Sequence, residues 1–384
     1  MTTFVVPRLM LKSKEDRRLL RGHLWAYRNE FEALPELEDG DVVDVFSAEK
    51  RLIGRGFYQV EGGIAVRMLD RNPSEVSGEA FLRGRIMDAL EMRHRFYPGC
   101  DTYRWVYGES DYLPGLVADR FGAVVSVKTS CVFYRQHAET LAKIFLEQDG
   151  VSCVSLDFRQ EALLWGEMPE TQEVEFNGVR LSFSLKQGQK TGLFLDQREN
   201  TRLLDAVAKG KRVFDGHCYV GQWACRALKA GAASVLAVDT SAPALEWARK
   251  NAALNGNIEG DDAVCKFECA SVENVLKRGD KYDVVCIDPP GLAKTRGMAA
   301  KALELYGVLN REAFKSVVPG GYVISSSCSQ PVGMDDFVEM LKRAARSAQR
   351  SVRILSQHGA PVDHPVLLEM PETHYLKCVM MQVR

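Results

Sequence analysis

Two short segments carry the side chains best suited to covalent chemistry. Ile324-Ser-Ser-Ser-Cys-Ser-Gln330 presents Cys328 just past an apolar run, between serines. Polar neighbours make a thiolate less costly than an apolar core does, and the thiolate is the form that attacks carbon. Asp288-Pro-Pro290 follows the run Tyr282-Asp-Val-Val-Cys-Ile-Asp288. Its two prolines remove backbone donors and stiffen the turn, which can hold the Asp288 carboxylate toward a flat ring. A lone cysteine is usually a small buried hydrophobe; the place of Cys328 after a strand, and its partner motif, favour a nucleophile.

A third segment is built to hold a ligand. Val213-Phe-Asp-Gly-His-Cys-Tyr-Val-Gly-Gln-Trp-Ala-Cys-Arg-Ala-Leu228 reads as strand, turn and helix. Such a unit sets backbone amides at the carboxyl edge of a sheet, where doubly wound folds bind ligands. It lacks the third glycine of a dinucleotide turn, and the bulky His217, Cys218 and Tyr219 obstruct the close approach of a pyrophosphate. The next strand ends at Asp239, before Thr240 and Ser241. An acid there, about twenty residues after the turn, can accept both hydroxyls of a ribose; the alternative is that Asp239 caps the following helix.

Together with Ala253-Leu-Asn-Gly256 and Asp288-Pro-Pro290, these segments resemble class I methyltransferases over roughly the C-terminal half. The resemblance implies S-adenosyl-L-methionine (SAM) at the turn from Asp215 and Gly216 through Tyr219 to Gly221, with its ribose at Asp239 and Thr240, and Asp288 bordering the same site. Gln189-Lys-Thr-Gly-Leu-Phe-Leu-Asp-Gln-Arg-Glu-Asn200 is similar to a Lys-Thr-Gly-x-x-Leu-Asp-Gln-Arg stretch of relatives that lies over the methionine part of the cofactor. On that likeness Arg198 pairs with the methionine carboxylate and Gln197 supplies neutral donors and acceptors; the alternative is an Asp196–Arg198 salt bridge that joins domains. Relatives also carry an aspartate near the end of the third strand for the adenine amine. Phe267-Glu-Cys-Ala-Ser-Val272 has none, and Ser271 or a backbone group is the substitute.

Ser327-Cys-Ser329 resembles the motif of RNA cytosine-5 methyltransferases, whose cysteine adds to C6 of the pyrimidine and so turns C5 into a nucleophile. Asp288 then bonds N3 and the exocyclic amine. Amine methyltransferases also use Asp-Pro-Pro, usually followed by an aromatic residue, where this chain has Gly291. In another cytosine-5 group a second cysteine follows the prolines; its absence here points to the one-cysteine group, since Cys286 lies within the strand. Asp363-His-Pro365, Pro371-Glu372 and Tyr375-Leu-Lys377 also resemble the bacterial large-subunit ribosomal RNA (cytosine-5) methyltransferases, with His364 read as structural.

The elements that must position these groups follow from periodicity. A chain of 384 residues is long enough for two or three cores. Short strand-like runs at 41–46, 52–58 and 64–69, after a helical stretch at 14–21, predict a small antiparallel barrel. Gly22-His-Leu-Trp-Ala-Tyr27, Asp39-Gly-Asp41 and Gly54-Arg-Gly-Phe-Tyr58 resemble the PUA domain, which implies RNA binding. Helices at 81–94 and 136–147, a strand at 123–128 and an Asn177-Gly178 hairpin predict an α+β middle domain. After Arg212, alternating strands and helices predict a parallel sheet. The expected architecture is α/β: a PUA-like barrel at 1–75, a middle domain at 76–185 and a Rossmann-like methyltransferase domain at 186–384.

Composition excludes some classes. A hydrophobic share of 46% and a charged share of 26% argue against a disordered or fibrous chain. The ten cysteines are spread without Cys-x-x-Cys spacing, so neither a disulfide framework nor a metal site is expected. No export signal and no apolar run of spanning length is visible, which predicts a cytoplasmic protein with no membrane partner. The net charge of −1 gives an RNA binder no general support, although Arg8, Lys12, Lys14, Arg17, Arg18, Arg21 and Arg28 concentrate basic charge early. The expected partner is 23S ribosomal RNA, with a second copy of the chain as an option. Two other readings stay open: methylation of another RNA base or an exocyclic amine, and a noncatalytic RNA-binding or assembly protein.

Overall fold

The computed structural model describes all residues except 1–5, 73–77, 160, 186–191, 259 and 261. Gln189-Lys-Thr191, which opens the motif at 189–200, therefore lies outside the described residues. The chain forms two compact units, Met1–Glu170 with Val362–Thr373, and Thr171–Pro361 with His374–Arg384.

The first unit holds two five-stranded sheets. One is ordered β1-β3-β4-β5-β2 and built from β1 (Arg8–Met10), β2 (Trp25–Tyr27), β3 (Val42–Phe46), β4 (Leu52–Tyr58) and β5 (Ile64–Asp70), with α1 (Arg17–Arg21). It is not wholly antiparallel, because β1 joins β3 in parallel. Glycines interrupt β4 where the strands close up: a Cβ on Gly56 would stand 2.3 Å from the Arg67 carbonyl oxygen. The second sheet, β10-β9-β8-β7-β6, comprises β6 (Thr102–Tyr107), β7 (Leu116–Phe121), β8 (Val124–Thr129), β9 (Cys153–Phe158) and β10 (Glu161–Trp165). It packs with α2 (Gly78–Phe96), α3 (Val132–Gln136) and α4 (Ala138–Leu146) around Trp105, Tyr134 and Phe145. The helix expected over 136–147 starts at Ala138; His137 breaks it from α3, its ring bonded to the Phe133 carbonyl. His364 is buried with its Nδ1 2.8 Å from Asp363 Oδ1, while Asp363 Oδ2 accepts the Arg104 amide.

The second unit opens with the hairpin β11 (Gln172–Phe176) and β12 (Val179–Phe183), turned by Asn177 and Gly178 at φ 52° and 72°. Both central residues are left-handed, the two-residue turn that matches strand twist. A seven-stranded sheet follows, ordered β15-β14-β13-β16-β17-β19-β18. Its strands are β13 (Arg212–Gly216), β14 (Ser234–Asp239), β15 (Cys265–Cys269), β16 (Tyr282–Ile287), β17 (Val317–Ser327), β18 (Val352–His358) and β19 (Lys377–Val383). All pairings from β15 to β17 are parallel, and β19 runs antiparallel between β17 and β18. The helices are α5 (Gln222–Lys229), α6 (Ala242–Leu254), α7 (Val272–Leu276), α8 (Ala299–Ser316) and α9 (Met334–Ser347). Parallel strands covered by helices read as apolar runs, as Val213-Phe214 and Val284-Val285 do. Strand order reverses between β13 and β16, and at such a switch point the loops part to leave a crevice at the carboxyl ends.

Candidate active site

The turn after β13 is tightly wound. His217, Tyr219 and Gly221 all take positive φ, at 65°, 49° and 84°. Left-handed backbone is costly for His and Tyr, and here hydrogen bonds hold it: the amides of His217 and Cys218 both donate to the Val238 carbonyl. Gly221 admits the neighbouring helix, since a Cβ there would lie 3.2 Å from the Ala248 Cβ.

Asp239 ties this turn to the end of β14. Its Oδ2 accepts the Tyr219 amide and its Oδ1 the Ser241 amide, each at 2.9 Å. Ser241, rather than Asp239, caps α6, its hydroxyl accepting the Ala244 amide. A carboxylate oxygen has two lone-pair sites, so Asp239 keeps acceptor capacity for a diol.

Asp288 lies at the end of β16. Its Oδ1 accepts from Gln197 Nε2 at 2.8 Å and its Oδ2 from Trp223 Nε1 at 3.0 Å. Cys328 lies just beyond β17, beside the Asp288-Pro-Pro loop: a Cβ on Gly291 would stand 3.5 Å from Cys328 Sγ. Ser329 secures the far side of the cysteine, its hydroxyl bonded to the Ala293 amide and the Tyr306 hydroxyl, each at 3.0 Å.

One cavity is lined by Asp239, Thr240, Tyr219, Gln197, Asp288 and Cys328. These are six of the eleven residues singled out from the sequence. Asp215 is fully buried, and neither of its carboxyl oxygens has a hydrogen-bond partner among the described residues. Burial, reinforced by the Asp288 carboxylate, pushes its pKa up to about 8. Gly216 ends β13 and Gly221 precedes α5. Arg198 is buried with its guanidinium 5.1 Å from the Phe176 ring centroid and is not among the residues that line the cavity. Ser271 is exposed at the start of α7, also outside that lining. Cys286 is buried in its strand, which pushes its thiol well up.

Several lining residues escape a reading of the sequence. Phe194 packs edge-on against Tyr219, with ring centroids 5.0 Å apart. Trp223 lies in the first turn of α5 and reaches Asp288. The sequence signal is a large aromatic with one polar edge at the second position of a helix that also holds the small residues Ala224, Cys225 and Ala227. His217 Nε2 and Gln222 Nε2 are buried without a partner among the described residues, and both residues line the cavity. Buried polar atoms without partners are rare, so these mark a place for a polar ligand.

A doubly wound sheet with a cavity at the carboxyl ends of its strands, lined by Asp239 and by unmatched polar atoms, is the arrangement of a protein that binds a small polar ligand there. Comparison with known proteins agrees: residues 155–369 match the S-adenosylmethionine-dependent methyltransferases and residues 9–71 a PUA-like domain. The chain belongs to the SAM-dependent methyltransferase family, and its cofactor is SAM. It is 32% identical to the ribosomal RNA large subunit methyltransferase I of Shewanella denitrificans, over 98% of this chain and 99% of that one. The protein of the same name from Pseudoalteromonas atlantica is 30% identical over the same shares. Among solved structures, a protein from Streptococcus mutans assigned as a SAM-dependent methyltransferase superposes with a TM-score of 0.84 at 20% identity, over 98% of this chain and all of that one.

SAM suits the residues present: Asp239 and Thr240 would hold its ribose, and the unpartnered His217 and Gln222 atoms belong to residues that line the same cavity, for its remaining polar groups. Among the described residues no helix is long and apolar enough to cross a membrane.

Proposed function

We propose that this chain methylates C5 of a cytosine in 23S ribosomal RNA, in the cytoplasm, through transient addition of Cys328 to C6. The observation that carries the reading is the adjacency of Cys328 Sγ to the Asp288-Pro-Pro-Gly291 loop, within the cavity that also contains Asp239. Relatives named for methylation of large-subunit ribosomal RNA, and the PUA-like domain, support the substrate class.

Each group has a task. SAM supplies an electrophilic methyl when bound. The Cys328 thiolate adds to C6, which makes C5 a nucleophile toward that methyl; once C5 carries it, solvent water takes the C5 proton and the C6–S bond breaks, which restores the thiolate. Asp288 faces the base with both oxygens already held by neutral N–H donors. Such donors stabilise the carboxylate, so Asp288 acts chiefly as the acceptor for the exocyclic amine of cytosine. Gly291, where amine methyltransferases usually set an aromatic residue, leaves the sulfur open to the ring. A base in a duplex must leave its stack to reach such a cavity; the PUA-like and middle domains would hold the RNA while it does.

The test is Cys328→Ala assayed on ribosomal RNA with labelled SAM. Methylation should be lost while SAM binding persists; substantial retained methylation would instead indicate chemistry at another base atom or an exocyclic amine.

A further inference from the structure

Lys377 opens β19 and is 2% exposed. Its Nζ donates to the carbonyl oxygens of Ser329 and Tyr375, each at 2.7 Å. In the β17–β19 register Lys377 stands opposite Ser327. The lysine is therefore paired one residue before Cys328 and bonded one residue after it.

A buried ammonium is costly unless an anion faces it. Among the described residues Lys377 forms no ion pair with a carboxylate, and its third N–H has no protein acceptor. Burial draws its pKa down to about 8, and the negative charge of a Cys328 thiolate opposes that pull. Among the described residues, other titratable groups about Cys328 include Tyr306 from α8, and Asp288 and Asp196 on the cavity wall. A carboxylate among them would disfavour a thiolate that Lys377 favours. Lys377 is not itself among the residues that line the cavity, whereas Cys328 is.

We propose that Lys377 is a positioning residue whose ammonium is a counter-charge that favours Cys328 as a thiolate in the resting enzyme. The inference rests on the reading of Cys328 as the nucleophile, but its test needs no methylation.

The test follows alkylation of Cys328 by iodoacetamide against pH in the full-length protein, read by peptide mass spectrometry. The exposed Cys269 serves as reference within the same molecule. In the unaltered protein the Cys328 inflection should fall below that of Cys269. In Lys377→Met it should rise, slowing alkylation near pH 7 roughly tenfold for each unit of pKa change, and Lys377→Arg should return it toward the original value.

A Cys328 that titrates at or above Cys269 overturns the proposal and requires no variant to fold. An inflection unchanged in Lys377→Met, or an Arg variant that behaves like Met, also overturns it. A low Cys328 inflection that survives Lys377→Met sinks only the role of Lys377, whereas methylation by Cys328→Ala sinks the nucleophile whatever the lysine does.

Discussion

The indole N–H of Trp223 donates to Asp288 Oδ2 at 3.0 Å, joining the first turn of α5 to the carboxylate at the end of β16. With Gln197 on the other oxygen, the carboxylate is held from two directions.

Replacing Trp223→Phe keeps a ring and removes the donor. A hydrogen bond to a charged group contributes about 1.5–3 kcal/mol, and each 1.4 kcal/mol is about tenfold in rate. The expected outcome is a kcat lower by about tenfold or more, with SAM affinity altered far less. Steady-state kinetics with RNA and SAM varied separately would check this; an unchanged kcat would mean that Asp288 needs no such support.

Asp239→Ala removes the acceptor for the proposed ribose contact and also strands the Tyr219 and Ser241 amides. Calorimetric titration should show SAM affinity weaker by at least roughly tenfold, about 1.4 kcal/mol. Unchanged affinity would place the ribose elsewhere.

Gly221→Ala forces a side chain onto φ 84° and against Ala248. Strain of this kind costs of order 1–3 kcal/mol, which thermal or urea unfolding should register. A silent substitution would mean that the turn relaxes easily.

Asp215 links stability to pH. Its pKa is raised from 3.8 to about 8 in the fold, so the folded chain keeps a proton that the unfolded chain has released. Its favourable contribution is whole below the unfolded value and is lost as pH rises through the folded one. The stability of the unaltered protein should therefore fall relative to Asp215→Asn between about pH 4 and 8, with Asn the more favourable at the alkaline end. Melting temperatures of both proteins across that window decide it; a constant difference would contradict the raised pKa.

The parts of this molecule that were legible in its sequence are those where chemistry and local geometry coincide. Strands buried on both faces show as apolar runs, so β13, β14 and β16 and the acids at or just past their ends stand out, and Asn177-Gly178 announces its hairpin. That hairpin nevertheless groups with the parallel sheet, because which core a surface element joins depends on packing distant in sequence. The left-handed His217 and Tyr219 were not legible, since bulky residues give no local hint of positive φ. Nor was β19, which inserts antiparallel between β17 and β18. Lys377 gains its meaning only once that insertion is known.

The account turns on a bond between Cys328 and a pyrimidine. Incubating the full-length protein and SAM with substrate RNA carrying 5-fluorocytosine, which blocks loss of the C5 substituent, should trap an adduct. Mass spectrometry of the digested complex should find the nucleotide on the peptide containing Cys328. RNA that is bound and turned over elsewhere with no covalent adduct, or an adduct on another cysteine, would contradict it.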